Sequence, residues 1–177
     1  EHVMTSARVF VSRRLPDDIL KPLFDLAEVE IWPHDDPPSQ AVLMEKMPEL
    51  NGLLSLLTDP LNAVVLDKSG PNFKVISQMA VGFDNIDIAA ATRKGICVGH
   101  TPGVLTETCA DFTFALLLAA ARRVVEGDRI VRQGNWPIWG PFVLTGPEVN
   151  NATLGIVGFG RIGQAVARRA RGFGMKI

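Results

Sequence analysis

The chain has 177 residues, 47% hydrophobic and 21% charged, with 18 Lys and Arg against 19 Asp and Glu for a net charge of −1. This balance excludes a partner held by neutralising its phosphate backbone, which needs a basic face, and it excludes an acidic disordered chain. The longest apolar run, Phe112–Ala121, falls short of the ~18 residues of a membrane span and carries a Thr, so neither a nucleic acid nor a membrane is expected as a partner.

Glu1, His2, Val3 and Met4 show no basic stretch leading into an apolar one, so no secretory leader is expected. Cys97 and Cys109 lack CxxC spacing and a nearby His pair, which argues against a zinc site or a disulfide framework. No metal is expected, and both thiols read as small, buried groups in a reducing, cytoplasmic setting. His2, His34 and His100 are scattered, and none pairs with a carboxylate at catalytic spacing.

The pattern then alternates strand and helix. Arg8–Ser12 alternates and is β-branched, and Pro16 and Asp17 open a helix to about Ala27. Glu28–Trp32 is a second strand, followed by a loop punctuated by Pro33, Pro37 and Pro38. Ser39–Met47 is a weak helix. Gly52–Leu57 is a continuous apolar run, as a strand covered on both faces requires. Thr58, Asp59 and Pro60 are expected to cap a helix to about Lys68. Phe73–Ser77 and Ile96–Gly99 complete the strands, with a helix over Ile86–Lys94 that Gly95 stops. Such alternation predicts an α/β architecture with a parallel sheet between helices.

Beyond the Thr101-Pro102-Gly103 turn, Thr106 to about Gly134 reads as a long helical stretch, with Thr108 and Asp111 in capping-box form. Arg122 and Arg123 either close a helical segment or face solvent. Asn135–Asn151 is a Pro- and Gly-rich loop carrying Trp136 and Trp139. Thr153–Val157 reads as a strand, Arg161–Phe173 as a helix, and Met175–Ile177 as the beginning of another strand.

Between that strand and that helix stands Gly158-Phe159-Gly160-Arg161-Ile162-Gly163. In this context GxGxxG is a dinucleotide fingerprint. Gly158 permits the tight turn, Gly160 lets a pyrophosphate approach the backbone, and Gly163 lets helix and strand pack closely. The helix N-terminus, with Ile162 in its first turn, offers N–H groups and a positive dipole end to phosphate. Arg161 either reaches a phosphate or is solvated. The residue that separates NAD from NADP lies about 20 residues further on, past Ile177.

Three segments in this order resemble the D-isomer-specific 2-hydroxyacid dehydrogenases: Met79–Asp87, Thr101–Asp111 and Thr153–Gly174. Within that family, Val11–Pro16 and Gln133–Trp139 are most similar to the glyoxylate reductase/hydroxypyruvate reductase branch. The resemblance implies a flavodoxin-like parallel-sheet substrate domain followed by the start of a Rossmann domain. The expected organisation is substrate domain over 1–103, linking helix and dimerisation loop over 104–152, and NAD(P)-binding start over 153–177. The implied activity is reduction of a small 2-keto acid by NADP or NAD, with NADP favoured.

The resemblance also implies roles. Val81 and Gly82 offer backbone N–H groups to the substrate carboxylate, a role open to a Gly after a strand end; otherwise Gly82 is a turn residue before an Asp84 cap. Leu57 either lines the substrate pocket or is plain core. Thr108 either contacts cofactor or caps its helix. Trp136 and Trp139 either cross to a partner in a homodimer, Trp139 reaching its active site, or pack within their own subunit. The family's catalytic histidine, glutamate and arginine match nothing in Glu1–Ile177, so no catalytic residue is assigned. The chain is expected to be the inactive N-terminal half of the enzyme. The alternatives are a corepressor of the C-terminal-binding-protein type and another family dehydrogenase such as phosphoglycerate dehydrogenase.

Overall fold

A computed structural model describes residues 6–177, so the reading made at Glu1–Met4 lies outside the described residues. The chain forms two compact units, the first ending at Pro102 and the second spanning Gly103–Ile177.

The first unit is built on five strands: β1 (Ala7–Val11), β2 (Ala27–Ile31), β3 (Gly52–Ser55), β4 (Val75–Gln78) and β5 (Cys97–Gly99). All pairings are parallel, in the order β2-β1-β3-β4-β5. The register aligns Phe10, Leu53, Ile76 and Val98 in one row across the sheet. Because side chains alternate along a strand, this row shares one face, and it forms the core with Leu43, Leu61, Leu66 and Ala90. Those partners come from α2 (Gln40–Lys46), α3 (Ala63–Leu66) with the loop before it, and α4 (Ile88–Arg93). Helix α1 (Asp17–Phe24) buries Leu20 beside Val9 and Leu54, which point to the opposite face.

Side-chain caps mark where α2, α3 and α4 begin. Ser39 accepts from Val42 N at 3.3 Å, Asn62 from Val65 N at 3.2 Å, and Asp87 from Ala90 N at 2.8 Å. Replacing Asp87 by alanine orphans a partly buried amide donor and is expected to cost about 1 kcal/mol. Urea unfolding should show this as a lower midpoint with an unchanged slope.

Several expectations are corrected here. α1 ends at Phe24 rather than near Ala27, because Ala27 already pairs with Ala7 in the sheet. Thr58, Asp59 and Pro60 do not cap α3; Asn62 does, and Asp59 is turned inward. Asp84 caps nothing, since α4 begins at the Asp87 cap. Cys97 is exposed, contrary to the buried-thiol reading; among the described strands β5 lies at the edge of the sheet, with β4 alone beside it.

In the second unit the long helical stretch is two helices, α5 (Thr106–Ala121) and α6 (Val124–Arg132). They part at Arg122 and Arg123, where Arg123 takes a left-handed conformation with φ 52°. Its guanidinium holds Glu126 at 2.6 and 2.7 Å. The N-cap of α5 is Leu105, so Thr108 lies inside the helix, exposed, and does not form the expected capping box. Asp111 is bonded elsewhere, to Arg169. α5 contributes to the core of this unit. Its Ala110 and Phe114 share a core with Ala165, Val166 and Ala170 of α7 (Arg161–Arg171). Phe114 stacks on Phe173 with ring centroids 5.4 Å apart. Thr153–Val157 forms no ladder strand: among the described residues its one bridge is Thr153 to Lys176. The loop between α6 and this segment leaves Trp136, Ile138, Trp139 and Phe142 between 73 and 95% exposed.

Candidate functional site

In an open parallel sheet, ligands bind outside the carboxyl ends of the strands, near the point where strand order reverses. Here the order reverses between β1 and β3. The chain leaving β3 carries Leu57, and the chain leaving β4 carries Val81 and Gly82. The two loops meet: a Cβ placed on Gly82 would lie 3.4 Å from Leu57 Cδ2. Leu57 and Val81 are both exposed, so neither is spent on the core. Among the described residues, no backbone carbonyl takes the amide protons of Val81 or Gly82. The arrangement is a short apolar wall beside two free backbone donors, which suits a small carboxylate.

Beneath these loops runs a chain of buried amides and hydroxyls. Ser55 Oγ donates to Gln78 Oε1 at 2.6 Å, and Gln78 Nε2 donates to Asn85 Oδ1 at 2.8 Å. Asn85 Nδ2 in turn donates to the carbonyls of Leu56 and Asp59 at 3.0 and 2.9 Å. Asn85 therefore ties the loop after β4 to the loop after β3. Asp59, fully buried, accepts from Ser12 Oγ at 2.5 Å and Leu56 N at 2.8 Å through Oδ2. Its Oδ1 has no well-aligned hydrogen bond, and Arg13 Nη1 meets it at 3.0 Å. Sequence reasoning missed both clusters. Ser12 and Asp59 are 47 positions apart, and no local pattern links them. The Asn85 network had a signal, since three uncharged polar residues in and after apolar strands need partners once buried.

The glycine loop of the second unit has a distinct task for each glycine. Gly158 has φ 90°, a conformation that side chains rarely adopt. A Cβ on Gly163 would lie 2.3 Å from Gly158 O and 3.4 Å from Ile156 Cγ2, so this is where α7 presses on the preceding segment. A Cβ on Gly160 would meet nothing within 4 Å, so the backbone there faces open space. Gly160 also stands at the N-cap position just before α7, with no side-chain cap. The first amides of α7 are thus free to meet an anion. Arg161 is exposed and Ile162 only partly covered. This loop fits a dinucleotide's phosphates: open backbone, free donors and no carboxylate in its first turn.

Further along α7, Arg169 bonds Asp111 at 2.7 Å and Glu107 at 2.8 Å, and Arg168 bonds Glu107 at 2.6 Å. The hydrogen bond from Arg169, with Arg168 close by, holds the Glu107 carboxyl below the usual carboxylate range. These exposed pairs link α7 to α5 beside their shared apolar core, and no local pattern announces them. Among the described residues no group of His, Cys, Asp and Glu side chains could hold a metal ion. No helix there is long and apolar enough to cross a membrane.

Comparison with known proteins matches this architecture to one family. Residues 9–170 match the D-isomer specific 2-hydroxyacid dehydrogenase, catalytic domain. The chain is 53% identical over 171 residues to a glyoxylate reductase from Korarchaeum cryptofilum, covering 96% of this chain and 51% of that protein. Among solved structures, the TT0316 protein from Thermus thermophilus superposes with a TM-score of 0.86 at 46% identity, covering 95% of this chain and 54% of that one. A D-lactate dehydrogenase from Aquifex aeolicus, complexed with NAD and lactic acid, gives a TM-score of 0.77 at 28% identity, covering 95% and 49%. The chain spans about half the length of the curated relatives it matches. With its parallel sheet, its loops beyond β3 and β4 and its glycine turn, the chain belongs to the D-isomer specific 2-hydroxyacid dehydrogenase family.

Proposed function

We propose that this chain supplies the substrate-binding domain and the phosphate loop of an NAD(P)-dependent reductase. Its substrate would be a small 2-keto acid such as glyoxylate or hydroxypyruvate, and its product a D-2-hydroxy acid. The observation that carries the reading is the 53% identity with a glyoxylate reductase across 96% of the chain. The nicotinamide cofactor supplies the hydride when bound. The protein's part is capture and orientation. Val81 N and Gly82 N would take the substrate carboxylate, and Leu57 would pack against its short carbon chain. Gly158, Gly160 and Gly163 would shape the turn around the pyrophosphate, with the amides of Arg161 and Ile162 and the Arg161 guanidinium as donors. Thr108, exposed near the N-terminal end of α5, would add a hydroxyl contact to the cofactor.

On resemblance to the reductase branch, NADP is preferred over NAD. The protein would act as a homodimer in the cytoplasm. Support for the dimer is the exposed cluster of Trp136, Ile138, Trp139 and Phe142, since large aromatic groups are enriched at interfaces. In that dimer Trp139 would reach the neighbour's substrate site. The two free thiols support a reducing compartment. The test is a steady-state assay of the full-length protein carrying this sequence. Glyoxylate and hydroxypyruvate should be turned over, faster with NADPH than with NADH. Absence of turnover of any 2-keto acid with either cofactor would overturn the reading.

A further inference from the structure

The loop after β4 is held from two sides, and the second hold comes from outside the amide network. His100 directly follows β5. Its Nδ1 lies 2.9 Å from Val81 O. A carbonyl oxygen only accepts, so Nδ1 carries the proton and donates. The imidazole also meets the Phe83 ring edge-on, with centroids 5.2 Å apart and planes at 80°. One residue on, Thr101 N donates to Ala80 O at 2.9 Å. From the other direction, Gln78 Nε2 approaches Gly82 O at 3.4 Å. Consecutive carbonyls of this loop, at 80, 81 and 82, are thus each aimed at a fixed donor.

Peptide planarity links these contacts to the site. The Val81 carbonyl and the Gly82 N–H belong to one rigid trans unit and point in opposite directions. A donor that fixes Val81 O toward β5 therefore fixes Gly82 N–H away from it. That N–H meets no backbone carbonyl among the described residues. Gly82 has no side chain to resist rotation of the unit, so the orientation depends on what holds the carbonyl.

We infer that His100 is a positioning residue: by donating from Nδ1 to Val81 O, it aims the Gly82 N–H at the carboxylate of the 2-keto acid. The inference rests on the reading of the substrate site given above. His100 itself touches neither substrate nor cofactor in this role. Being exposed, it contributes little to the core, so its replacement tests orientation rather than folding.

The experiment compares the full-length wild type with His100→Ala and His100→Asn, using glyoxylate and NADPH, with thermal melting alongside. His100→Ala should raise KM for glyoxylate about fivefold to tenfold, the range of one lost hydrogen bond. KM for NADPH and the melting temperature should stay close to wild type. His100→Asn, which keeps a side-chain N–H at a shorter reach, should recover part of the loss. A glyoxylate KM within about twofold of wild type in His100→Ala would overturn the inference, as would equal rises for glyoxylate and NADPH. A wild-type protein inert to all 2-keto acids would remove the underlying reading, and this inference with it.

Discussion

Gly163→Ala is expected to lower stability and cofactor affinity together. The added methyl would sit 2.3 Å from the Gly158 carbonyl oxygen, which is backbone and cannot swing aside. The start of α7 must then lift from the turn. Overpacking of this kind costs about 1–3 kcal/mol, and the better helix propensity of alanine returns at most about 1 kcal/mol. Gly160→Ala is the informative contrast. Its methyl meets nothing within 4 Å, and its φ of −77° suits any residue. Melting should therefore be unchanged, while NAD(P)H affinity falls if phosphate needs that open backbone face. Fluorescence titration of bound NAD(P)H and a thermal melt on each variant separate the effects. A Gly163→Ala protein that melts at the wild-type temperature would show that α7 does not press closely on the turn.

The second large effect is expected at Asp59. Its carboxylate is fully buried and serves Ser12, Leu56 N and Arg13 at once. The Arg13 side chain is itself only 13% exposed. Asp59→Ala leaves that cation without its partner and strands two further donors. Breaking one side of a buried pair costs about 3–5 kcal/mol, a large share of a domain's stability. Asp59→Asn keeps the shape and an acceptor, so it should retain part of this. The double change Arg13→Met with Asp59→Asn should cost less than the two single changes added together, because no unpaired charge remains. Urea unfolding of the wild type, both single variants and the double variant measures the coupling. Simple additivity would mean that Arg13 and Asp59 do not stabilise each other.

The strands are legible in the sequence because their cause is local. Each of the first five is a short alternating or apolar stretch between turn residues, and each expected position lies within a residue or two of the observed one. The glycine turn is legible for the same reason: spacing alone assigns Gly158, Gly160 and Gly163 different geometric demands. Expectation fails where a distant contact decides. Asp59 beside Pro60 reads locally as a helix cap, yet Ser12 and Arg13 draw it into the interior. Thr108 and Asp111 have capping-box form, yet Asp111 is drawn to Arg169 and the helix starts three residues earlier, after Leu105, with no side-chain cap. Thr153–Val157 has strand composition, but composition cannot supply a neighbouring strand, and one bridge to Lys176 is what it finds. His100 carries no local signature. Its task comes from the parallel register that sets the end of β5 beside the end of β4.

The strand order has a consequence for how the first unit is made. β1 and β2 pair with each other, β3 then adds beside β1, β4 beside β3, and β5 beside β4. After the first pair, each strand joins an edge that already exists when it leaves the ribosome. Among the described strands, none is separated in synthesis from a partner made much later. Parallel sheets are slow to form and prone to association while incomplete. An order in which the growing edge always meets the next strand keeps that interval short.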